Sequence, residues 1–123
     1  MKTYPIKDEF RKSVAFEIDL ILISIHDLII ILNANSLINS VSKVKNCRIE
    51  GERAGFNYKG KEYCVIEPFS DNSRYWIGPS DGVTNSSEDL TPLIADFEVY
   101  KPSFLRQVIF QILSLEFLKT KDK

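Results

Sequence analysis

Apolar side chains recur at intervals of three and four along residues 9–34: Val14, Ile18, Ile21, Leu22, Ile25, Leu28, Ile29 and Leu32. That spacing puts them on one stripe of a 3.6-residue repeat and predicts one long amphipathic helix. At about 1.5 Å per residue it would run about 40 Å, enough to cross a domain. Asn33-Ala34-Asn35-Ser36 supplies a stop, and residues 37–41 read as a further helical turn.

From Lys43 the period shortens. Residues 43–53, 55–59, 61–67 and 74–77 read as short strands. Tyr58-Lys59-Gly60-Lys61 predicts a tight hairpin with Gly60 at positive φ, and Gly51 and Gly55 mark a turn or bulge before it. Residues 68–73 form the next turn, which gives a small antiparallel meander. Residues 78–89, GPSDGVTNSSED, are a polar loop. Thr91-Pro92 resembles a helix start, yet Leu93, Ala95, Phe97 and Val99 alternate, so residues 93–100 lean to strand over helix. Pro102-Ser103 opens a final helix to about residue 119, with Phe104, Leu105, Val108, Ile112 and Leu115 on its core side. The expected fold is a single α+β domain over 1–123: a small meander sheet with a long N-terminal helix and a C-terminal helix packed on it.

Length and composition suit one globular domain: 123 residues, 44% hydrophobic and 27% charged. The most apolar run, residues 20–32, has thirteen residues and contains His26 and Asp27, too short and too polar for a bilayer span. Acids at Asp8 and Glu9 interrupt any secretory leader, so the expectation is a cytoplasmic protein with Cys47 and Cys64 as free thiols. A net charge of −1 argues against a general nucleic-acid binder.

Motifs for chemistry are sparse. His26 is the sole histidine, and it falls seven residues after Asp19, on the same side of the expected helix. No serine or cysteine accompanies it in a nucleophile motif. Two cysteines and one histidine fall short of a zinc site, and the acids of residues 71–96 match no calcium loop. Gly78 and Gly82 lack the lysine of a phosphate-binding loop. The expectation is therefore no cofactor, no metal and no catalytic residue.

Charge is distributed unevenly. Residues 68–100 carry Asp71, Asp81, Glu88, Asp89, Asp96 and Glu98 against Arg74 alone, and residues 13–42 carry three acids and no base. The acidic stretch also holds Phe69, Tyr75 and Trp76. Rings supply desolvated contact area and carboxylates supply steering, which together suit a grip on a basic partner. The candidate contact residues are Asp71, Tyr75, Trp76, Asp81, Glu88 and Asp89; the other reading is a solvated acidic loop with Trp76 in the core. In size, in Tyr75-Trp76-Ile77-Gly78-Pro79 and in the acid-rich 81–89 loop, the chain resembles the immunity proteins of bacterial contact-dependent inhibition and related toxin systems. The resemblance implies a non-enzymatic, cytoplasmic antitoxin whose partner is a cognate toxin with a basic active site, often a nuclease.

Two alternatives remain at the level of sequence. Phe56, Tyr58, Tyr63, Tyr75 and Trp76 could line a small-ligand or enzymatic pocket with His26 or a tyrosine as its polar group. Alternatively, Phe16, Leu20, Ile23, Ile30 and Ile31 on the back of the first helix, with Phe110, Leu113 and Phe117 on the last, mark a homodimer or adaptor interface where the fold does not cover them.

Overall fold

A computed structural model describes residues 1–43, 51–67, 74–82 and 88–101 of the chain. Its element order is β1 (Thr3–Lys7), β2 (Ser13–Asp19), a 3-10 turn (Leu20–Leu22), α1 (Ile25–Ala34), β3 (Ile38–Lys43), β4 (Glu52–Tyr58), β5 (Lys61–Ile66), β6 (Arg74–Pro79) and α2 (Thr91–Val99). The strands form one antiparallel sheet in the order β1-β2-β6-β5-β4-β3. The fold is α+β, with β4 to β6 as strands of the expected meander, β3 on its edge and an N-terminal hairpin added along β6.

That hairpin replaces the first half of the expected long helix. Residues 13–19 are strand, and only Ile25–Ala34 are α-helical. β2 lies between β1 and β6, and Ser13, Val14, Ala15 and Phe16 are all buried. A strand covered on both faces shows a continuous apolar run, which periodicity alone cannot separate from helix. The helix begins where Ser24 accepts a hydrogen bond from the Asp27 N–H at 3.1 Å, an N-cap inside the apolar run.

Two further expectations are corrected. Residues 38–43 are the edge strand β3, so residues 37–41 do not extend the helix. Residues 93–99 are helical: Leu93, Ile94 and Phe97 are buried, while Ala95 and Val99 are exposed. The apparent alternation came from two apolar residues that face water. The β4–β5 hairpin agrees with expectation, with Lys59 at φ 51° and Gly60 at φ 83°, as a two-residue turn with both central residues left-handed requires. The strand expected over 43–53 is described only at Lys43 and from Gly51 on. The 68–73 turn, Cys47 and the final helix with its apolar stripes lie outside the described residues.

Both helices lie over one face of the sheet. The Phe97 ring of α2 meets Phe16 of β2 with centroids 5.4 Å apart, and Leu28 and Leu32 of α1 join the same core as Phe56, Tyr58, Tyr63, Tyr75 and Ile77. Phe16 and Ile23, expected on the back of a long helix, are fully buried here, and Leu20 and Ile31 pack against the core; Ile30 is exposed. Among the described residues no helix is long and apolar enough to cross a membrane.

Candidate functional site

Asp81, Glu88 and Asp89 gather at one end of the sheet, and the core holds the 88–89 segment there. Tyr58 ends β4, and Tyr63 stands opposite Phe56 across the β4–β5 pair. The Phe56 and Tyr63 rings stack at 5.6 Å, and Tyr58 meets Tyr63 edge-on at 5.8 Å. All three are buried. A buried phenol needs a partner for its hydroxyl, and both tyrosines find one in the same short segment. The Tyr58 hydroxyl donates to the Asp89 carbonyl at 3.0 Å, and the Tyr63 oxygen accepts from the Glu88 N–H at 2.9 Å. The Leu90 N–H then donates to the Ser13 carbonyl at 2.9 Å, which fastens the segment to the start of β2.

The side chains of Glu88 and Asp89 are left exposed on this fixed backbone. Asp89 Oδ1 accepts from the Thr91 hydroxyl at 2.7 Å and from the Thr91 N–H at 3.1 Å. The hydroxyl bond, above all, holds its carboxyl below the usual range. The turn anchored by Asp89 also leads into α2, with Pro92 in the first turn as expected; the residue preceding the helix is Leu90 and Thr91 is its first helical residue. Burial, assisted by Asp89, Tyr63, Glu88 and Asp96, pushes the Tyr58 phenol up to about 12.

Asp81 follows β6 at this same end. The Ser80 N–H donates to the Glu62 carbonyl at 3.1 Å, and Asp81 Oδ2 is 3.9 Å from Lys61 Nζ. Lys59 and Lys61 therefore stand among the acids, and the patch is mixed in sign. Arg74, the one base of the acidic stretch, starts β6 and lies at the opposite end of the strand, about 17 Å away at 3.3–3.4 Å per residue. There it stacks on Tyr4 at 3.5 Å and faces Glu17 and Asp19 at 3.8 and 3.7 Å.

The aromatic candidates are not brought beside the acids. Tyr75 is a core residue, 5% exposed, and cannot present its ring to a partner. Trp76, the next residue along the strand, faces the other side of the sheet, half-buried, with its indole over Gly78. Asp71 lies outside the described residues. Among the described residues, an exposed ring at this end belongs to Phe10, 82% exposed on the β1–β2 turn that leads into Ser13. Asp8 builds that turn, accepting from the N–H groups of Phe10 and Lys12 at 2.9 Å each, with Arg11 left-handed at φ 62°. Phe10 had no periodic or motif signal to mark it.

The other constellations come apart. Asp19 is on β2 and bonded by the Tyr4 hydroxyl at 3.0 Å, while His26 is exposed in the first turn of α1. They do not share a helix face. Phe56, Tyr58 and Tyr63 pack on one another within the core that also holds Tyr75, and Trp76 is on the far face, so the five rings do not line one cavity. Cys64 is buried, and among the described residues no group of three or more His, Cys, Asp or Glu side chains is placed to hold a metal.

Comparison with protein-family models, curated proteins and solved structures finds no match for this chain.

Proposed function

We propose that the chain is a non-enzymatic binding protein that neutralises a protein toxin by covering a basic active site. The observation that carries this reading is the fastening of Glu88 and Asp89 by two buried tyrosine hydroxyls. A backbone fixed before binding loses little entropy on association, so exposed carboxylates on it grip a partner at low cost. Asp81, Glu88 and Asp89 supply attraction for basic groups, moderated by Lys59 and Lys61, and Phe10 on its braced turn supplies an apolar anchor. The core rings and the exposed His26 favour this reading over a ligand pocket, because the polar groups such a pocket needs do not converge.

The test is recovery of the partner from the source cells with the tagged full chain, followed by assay of that partner's activity. The proposal expects a stoichiometric complex in which a nuclease or other toxic activity is lost. A partner that stays fully active in the complex would refute neutralisation.

A further inference from the structure

The two edges of the sheet are built differently. β1 carries Pro5, which has no N–H to offer a neighbouring strand, and Lys7 at its end; α2 reaches it through the bond from the Thr3 hydroxyl to Glu98 at 3.1 Å. These are the usual devices that discourage strand addition. β3, at the opposite edge, has the sequence INSVSK, with no proline, no glycine and no charge before Lys43. Asn39, Ser40 and Ser42 are exposed and Ile38 and Val41 half-buried, and among the described residues no strand pairs with the outer edge of β3. Its register shift against β4 is confined to the start, between Ile38 and Ser40, and residues 40–43 pair regularly.

We infer that β3 is a self-association edge, on which a second copy of this chain adds its own β3 antiparallel to make one continuous sheet. The sequence is complementary to itself about a two-fold axis at Val41. In that register Val41 meets Val41 on the core side and Ser40 meets Ser42 on the other. Apolar faces apolar and hydroxyl faces hydroxyl, with no like charges opposed. A closed two-fold pairing also consumes the edge, so assembly stops at two. The seam is one short strand wide, which places it among weak, reversible dimers. This inference does not depend on the proposed function, because it rests on the pairing edge of β3 and not on the carboxylates of Glu88 and Asp89.

Sedimentation velocity of the full chain over a concentration series tests it. Wild type should shift from one chain mass toward two as concentration rises. Ser40→Lys/Ser42→Lys, changed at exposed positions, places ammonium groups of the two copies against each other and should weaken the dimer about tenfold or more. Ser40→Glu/Ser42→Glu should do the same alone, while an equimolar mixture of the two variants should restore a dimer. Should either variant fail to fold, concentration-dependent protection of the wild-type amides of 39–42 from hydrogen exchange gives the same answer. Wild type that remains a single chain up to about 500 µM overturns the inference, as does a double-lysine variant that dimerises as well as wild type.

Discussion

The Tyr58 hydroxyl reaches across 31 residues of sequence to donate to the Asp89 carbonyl at 3.0 Å. Tyr58→Phe removes this bond and little else. It should lower stability by about 1 kcal/mol in urea unfolding, with faster amide exchange concentrated at residues 88–91. Exchange that rises evenly through the chain would show that the bond does not hold this segment.

The same phenol sets a pH dependence. Its ordinary value is 10.0 and the fold raises it to about 12, chiefly by burial. The folded chain therefore keeps a proton that the unfolded chain releases. The associated stability is whole below pH 10 and is lost as pH climbs from 10 through 12. Denaturation curves of wild type should approach those of Tyr58→Phe and then pass below them across that window, because a shift of this size outweighs the hydrogen bond's about 1 kcal/mol.

Two glycines separate strain from contact. A Cβ at Gly60 would meet nothing within 4 Å, so Gly60→Ala suffers only its left-handed backbone, φ 83°, and should cost about 1 kcal/mol. A Cβ at Gly78 would come within 2.6 Å of the Trp76 indole. Gly78→Ala should displace that ring and shift the emission of the one tryptophan in the chain, which Gly60→Ala should leave unchanged.

Phe97 joins α2 to the sheet through Phe16, with ring centroids 5.4 Å apart and both side chains fully buried. Phe97→Ala should cost about 3–5 kcal/mol by thermal or urea unfolding. A loss under 1 kcal/mol would mean that α2 contributes little to the core.

How much of this could be read in advance depends on the range of the interaction that decides each element. The β4–β5 hairpin was legible because Lys59-Gly60 carries its own turn chemistry. The Ser24 cap was equally local, but the apolar run of residues 20–32 in which it sits masked it. β2 was illegible as a strand because Val14, Ala15 and Phe16 are buried in succession, on both faces of the sheet, so they show no alternation. In α2, Pro92 and the spacing of Leu93, Ile94 and Phe97 carried the correct signal, obscured by exposed Ala95 and Val99. Of the candidate site, the acids were visible as composition, while their fastening by Tyr58 and Tyr63 and the nearness of the Phe10 turn arise only from tertiary contacts.

Steering of a basic partner by the exposed carboxylates of Asp81, Glu88 and Asp89 is the central claim, and association kinetics test it most directly. Stopped-flow binding of the recovered partner should be compared for wild type and Asp81→Lys/Glu88→Lys, both exposed positions, over a range of salt. The association rate of the variant should fall about tenfold at low ionic strength, with a smaller change in dissociation, and the two proteins should converge as salt screens the charges. Equal association rates at low salt would contradict it.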